Sequence, residues 1–127
     1  MDNTELILKT AVEHLYKKKG KEIRILKVDD ITVMADYFVI CSGTSNTQIK
    51  ALAGEVEFQL GEMGIEPLHT EGYGSSDWVL LDYGSVIVHV FYRDTRDYYN
   101  LERLWADGTE IPFTDFVTPE EDKDDEI

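Results

Sequence analysis

With one cysteine in 127 residues, the chain has no partner for an intrachain disulfide, and Cys41 with three scattered histidines offers no zinc-ligand spacing. No metal and no cofactor are therefore expected. There is no apolar stretch long enough to span a bilayer, and the opening Met1-Asp2-Asn3-Thr4-Glu5 is acidic where a secretory signal or transit peptide carries basic residues. A cytoplasmic protein is expected. Basic residues are scarce: 12 lysines and arginines face 26 acids, for a formal charge of -14. That balance repels phosphate backbones and disfavours sequence-independent nucleic-acid binding. It favours a basic protein partner, or it serves solubility alone.

Apolar residues make up 43% and charged residues 30% of the chain, a globular composition of a length suited to one core. Leu8, Ala11, Val12 and Leu15 recur at helical spacing, with Asp2 or Thr4 as cap and Gly20 as stop. The Lys17-Lys18-Lys19 run at that helix's end complements the helix dipole. Glu22–Val28 and Tyr37–Cys41 read as strands, the second apolar enough to be covered on both faces. Between them, the segment from Asp29 to Met34 takes no clear assignment.

Ser45 and Gln48 form a capping-box pattern opening a second helix, in which Ile49, Leu52, Ala53, Val56, Leu60 and Met63 keep the period up to Gly64. A short strand-like stretch from Ile65 to Thr70 precedes two apolar runs, Trp78–Asp82 and Ser85–Phe91, which the tight Tyr83-Gly84 link makes an antiparallel hairpin. Tyr98, Leu101 and Trp105 predict a last helix, capped by Asp94 or Thr95 and stopped by Gly108. Residues 118–127 hold six acids and one lysine, contributing -5 and leaving -9 on the first 117 residues. The expected organisation is one α/β (α+β) domain over residues 1–112, a mixed β-sheet flanked by helices, followed by an acidic, flexible tail over 113–127.

Chemistry finds little to work with. Gly43-Thr44 after a buried strand, followed by Glu55-Val56-Glu57, echoes the metal-binding pattern of nucleotidyltransferases, whose acids alternate on a strand toward shared divalent ions. Here the two acids fall on a helix, about 200° apart, and face nearly opposite ways. The Gly43–Asn46 loop has no Walker lysine and reads as a helix cap. Cys41 lies in the most apolar strand and His89 among valines, with no nucleophile–base set around them.

The outstanding concentration is aromatic and acidic. Tyr73, Trp78, Tyr83, Phe91, Tyr92, Tyr98 and Tyr99 share a short stretch with Asp77, Asp82 and Asp94. Aromatics set among carboxylates suit a protein-binding surface for a basic partner, although half of them could simply fill the core. By strand alternation Trp78, Leu80 and Asp82 share one face, and Val79, Leu81 and Tyr83 the other. Asp82 marks the first face as reaching water, which makes Trp78 the leading anchor.

Several of these segments carry a family resemblance: Ala35–Ser45 (ADYFVICSGTS), Glu71-Gly72 with Trp78–Gly84 (WVLLDYG), Val86–Phe91 (VIVHVF) and Tyr99–Trp105 (YNLERLW). Together with the first helix they span residues 4 to 108, and the sequence resembles the RsfS/Iojap ribosomal silencing family. The resemblance implies a catalytically silent, nucleotidyltransferase-like fold. It further implies that the domain binds the large ribosomal subunit through its fourteenth ribosomal protein and blocks small-subunit docking, repressing translation when nutrients are short. Carried over by motif, the interface centres on Trp78, Leu80, Asp82 and Tyr83, and a homodimer is common in such proteins. The competing expectations are a metal-dependent nucleotidyl or phosphoryl transferase using Glu55 and Glu57, and a ribosome assembly adaptor without silencing activity.

Overall fold

The computed structural model describes residues 3–74, 77–100, 103 and 106–117, with the backbone alone described for Tyr98 and Tyr99. The first helix, α1 (Thr4–Lys17), buries Leu8, Ala11, Val12 and Leu15 as their spacing requires. It starts at Asn3, whose carbonyl accepts the Ile7 N–H at 2.9 Å. The lysines that follow serve the helices, Lys17 pairing with Glu13 at 3.2 Å and Lys18 reaching Glu55 at 4.0 Å.

Next come β1 (Lys21–Lys27), β2 (Tyr37–Gly43), α2 (Asn46–Glu62), β3 (His69–Glu71), β4 (Trp78–Asp82), β5 (Val86–Tyr92), α3 (Arg93–Tyr99) and β6 (Thr109–Ile111). The strands form one sheet in the order β3-β4-β5-β2-β1-β6. Strands β2 and β5 run parallel at its centre, and the other pairings are antiparallel. This explains why Tyr37–Gly43 is buried throughout after its first residue: a central parallel pair is covered on both faces.

Helix α2 opens as its capping signature dictates, Ser45 Oγ accepting the Gln48 N–H at 3.0 Å. Gln48 does not return the bond to Ser45; its side-chain oxygen accepts the Thr44 N–H at 2.6 Å, one residue earlier. With α1, α2 packs on one face of the sheet over Ile25, Val39, Val79, Leu81, Val88 and Val90. The opposite face gathers Leu26, Phe38, Ile40, Ile87 and Phe91, with Trp78 and Leu80 half-buried at its margin. The architecture is thus a single α/β domain with a mixed, six-stranded sheet and flanking helices. Among the described residues, no helix is long and apolar enough to cross a membrane.

Several expectations change, beginning with the cap of α1, which is Asn3 and neither Asp2 nor Thr4. The strand expected over Ile65–Thr70 is shorter and later, at His69–Glu71. The last helix breaks at Asn100, which adopts a left-handed conformation, and Leu101 and Trp105 lie outside the described residues. Its N-cap position is Tyr92, ahead of Asp94 and Thr95, with no side-chain cap. After the turn at Gly108, Thr109–Ile111 adds an edge strand to β1, too short to announce itself by alternation. The boundary at residue 112 falls early as well. Phe113, Phe116 and Val117 pack against the helix-side core, the Phe113 ring lying 5.8 Å from that of Tyr16. The acidic residues 118–127 lie outside the described residues.

Candidate partner-binding surface

Strand alternation on β4 decides which of the expected site residues meet. Trp78, Leu80 and Asp82 are half-buried on the sheet face away from α1 and α2, while Val79 and Leu81 are fully enclosed on the helix side. Tyr83 continues the inward set. At 7% exposure it belongs to the helix-side core, so it does not join the other three, and its motif-based place in the interface gives way to the alternation. Its hydroxyl is buried without a hydrogen-bond partner, and burial, followed by the nearby Glu57 and Glu66 charges, pushes its ionisation up.

The register brings residues to this face that the sequence did not single out. In the β3–β4 pairing His69 lies opposite Asp82 and Glu71 opposite Leu80, and directly paired residues share a face. His69 Nε2 and Glu71 Oε2 are 2.6 Å apart, both side chains exposed. Glu71, Gly72, Trp78 and Leu80 line a shallow pocket of about 120 Å³. Leu68, just before β3, is 76% exposed and donates its N–H to the Asp82 carbonyl at 2.7 Å. The outcome is an apolar centre of Trp78 and Leu80 flanked by the carboxylates of Glu71 and Asp82.

Beneath Trp78 the support is aromatic. Its ring stacks on Phe91 with centroids 4.7 Å apart, and its indole N–H points at His89 Nδ1, 3.2 Å away. His89 also meets Phe38 edge-on at 5.2 Å. Burial lowers the His89 pKa to about 3, so the imidazole is neutral at physiological pH. Since Nδ1 accepts from Trp78, the proton sits on Nε2, which is buried without a partner. Of the other sequence-level aromatics, Phe91 is wholly enclosed and Tyr73 packs on the helix side, its hydroxyl donating to Glu57 at 2.9 Å. The side chains of Tyr98 and Tyr99 lie outside the described ones.

The two candidate catalytic acids do not converge. Glu55 turns toward α1, accepting from Gln59 at 2.9 Å and standing 3.7 Å from His14, whereas Glu57 accepts from Tyr73 on the other side of α2. Cys41 is enclosed in the core, and burial pushes its thiol up to about 12. Among the described residues, no group of three or more His, Cys, Asp or Glu side chains is placed to hold a metal ion.

Fold and surface together define a one-domain, mixed-sheet protein that presents an acid-rimmed aromatic face at one sheet edge. The family described as ribosomal silencing factor during starvation, RsfS, matches residues 1–127, and the chain belongs to it. A Bacillus subtilis ribosomal silencing factor RsfS is 45% identical over 106 residues, covering 84% of this chain and 90% of that protein. Its namesake in Halalkalibacterium halodurans is 44% identical over 111 residues, covering 87% and 94%. The crystal structure of a Chromobacterium violaceum protein superimposes with a TM-score of 0.79 at 41% identity, covering 89% of this chain and 92% of that one.

Proposed function

We propose that this protein docks on the large ribosomal subunit through the face formed by Trp78, Leu80 and Asp82, and that its bulk then keeps the small subunit from joining. The partner on the subunit is its fourteenth ribosomal protein, as the family resemblance implies, and the consequence is repression of translation under starvation in the cytoplasm. The observation that supports this most directly is the apolar Trp78–Leu80 centre flanked by Glu71 and Asp82 on a chain of charge -14. An apolar anchor excludes water and supplies affinity, while flanking carboxylates speed encounter with a basic protein. No bond is made or broken in this mechanism. Tyr83 supports the face from behind, packed in the helix-side core.

The test is sedimentation of separated subunits remixed at magnesium concentrations that favour joining. With the protein present, it should co-migrate with free large subunits and joined ribosomes should decrease. Trp78→Ala should weaken large-subunit binding by about 2 kcal/mol or more, the loss expected of an interface hot spot. Co-migration with normal joining would make the protein an assembly adaptor, and absence of co-migration would end the ribosome-binding reading.

A further inference from the structure

The Trp78 indole has one hydrogen-bond donor, its ring N–H, and that donor is directed inward to Nδ1 of His89 at 3.2 Å. The same ring is stacked on Phe91 with an interplanar angle of 27°. Two contacts of different kinds thus fix the ring: the stack sets its plane, and the hydrogen bond sets its rotation within that plane. His89 cannot turn to suit another partner, because it is 5% exposed and lies between Phe38 and Phe91.

Holding an imidazole here has a stability cost. Its Nε2–H is buried with no acceptor, whereas an aliphatic or aromatic side chain would fill the same place with no orphaned polar atom. Among the described residues, the rings packed against His89 are Phe38, Phe91 and Trp78 itself. Among the described residues, the polar service the imidazole performs is to accept the indole N–H. A locally unfavourable group whose single polar contact locks a half-exposed aromatic belongs to the function of that aromatic.

We propose that His89 is the positioning residue of the partner-binding face: by taking up the Trp78 N–H it presets the indole for binding and leaves only ring carbon for the partner to meet. The receiving surface on the partner is then an apolar depression without a hydrogen-bond acceptor for the indole, bordered by lysine or arginine side chains opposite Glu71 and Asp82. This rests on the assignment of Trp78 to the ribosome-binding face. It adds that a residue out of the partner's reach sets the affinity, since ordering the anchor beforehand removes that cost from binding.

Two substitutions separate positioning from packing. His89→Phe keeps an aromatic ring and removes the acceptor, while His89→Asn places its side-chain oxygen near the position of Nδ1 and restores one. In ¹⁵N-labelled protein, with the second tryptophan assigned through Trp105→Phe, the Trp78 indole N–H resonance should shift in His89→Phe and exchange with solvent at least tenfold faster. Both should return toward wild type in His89→Asn. Binding to purified large subunits should weaken about tenfold in His89→Phe, without a lower melting temperature, and recover at least partly in His89→Asn. An indole resonance unmoved by His89→Phe would overturn the proposal, as would a shifted resonance with unchanged affinity. If wild-type protein ignores large subunits, the ribosome reading fails, and the indole signal of the free protein still decides whether His89 holds Trp78.

Discussion

The carboxylate of Asp82 accepts the backbone N–H of Gly84 at 2.8 Å, closing the β4–β5 turn with the same side chain that carries charge at the proposed partner-binding face. The turn needs this help because Gly84 sits at a φ of 89° and Ser85 bonds back to the Tyr83 carbonyl at 3.1 Å, a tight three-residue reversal. The two roles separate by substitution. Asp82→Asn retains the acceptor and removes the charge, so its melting temperature should stay near wild type while its association with large subunits slows and loses salt dependence. Asp82→Ala removes both and should in addition cost about 1 kcal/mol of stability, read by urea denaturation. Equal melting of the two variants would remove the turn role.

His89 makes stability depend on pH with a definite sign. Its pKa is held at about 3 by burial, against 6.5 for a free imidazole. The unfolded chain therefore takes up a proton below pH 6.5 that the folded chain refuses until about pH 3, so the contribution is lost as pH falls through that window and is flat above it. Between pH 7.5 and 5 the wild type should lose about 2 kcal/mol from this group alone. His89→Asn should show a correspondingly flatter urea-stability profile over that range, and parallel profiles would place the imidazole in water.

The packed domain extends to Val117. Truncation after Pro112 removes Phe113, Phe116 and Val117 from the helix-side core and exposes Tyr16, with an expected loss of about 2–4 kcal/mol. Truncation after Val117 removes only the acidic stretch and should leave thermal stability within about 0.5 kcal/mol. Equal melting of the two truncated chains would restore the boundary at residue 112.

Gly72 stands at a φ of 95°, and a Cβ there would collide with the backbone carbonyl of Trp78. Gly72→Ala should therefore destabilise by more than about 1 kcal/mol and displace the β3 edge, loosening the contact between Glu71 and Leu80. The check pairs a denaturation curve with large-subunit binding. Gly54→Ala, at a position with open space within 4 Å, is the control expected to be neutral or stabilising.

Local chemistry made much of this fold readable. The i, i+3, i+4 spacing of Leu8–Leu15 and Ile49–Leu60, the Ser45–Gln48 cap and the unbroken apolar runs at Tyr37–Cys41 and Val86–Phe91 are properties of neighbouring residues. They produced α1, α2, β2 and β5 where they stand. Alternation along Trp78–Asp82 separated the outward from the inward set and placed Tyr83 inward, as found, even though the family motif had grouped it with the interface. Asn100 marks a limit of such signals: its backbone turns left-handed and ends α3 at Tyr99, a break that side-chain periodicity does not announce, while Leu101 and Trp105 lie outside the described residues.

What the sequence determined by itself was therefore the class of the fold, its charge, its family likeness and the face on which Trp78, Leu80 and Asp82 lie, because these follow from composition, motif and a period of two along one strand. Tertiary structure alone decided that Glu71 stands opposite Leu80, that β6 closes the far edge, that Phe113–Val117 belongs to the core, and that His89 receives the Trp78 N–H. Each of these depends on register between segments distant in the chain. A one-residue slip would turn every side chain of a strand to the other face, and no local pattern records which register the finished sheet adopts.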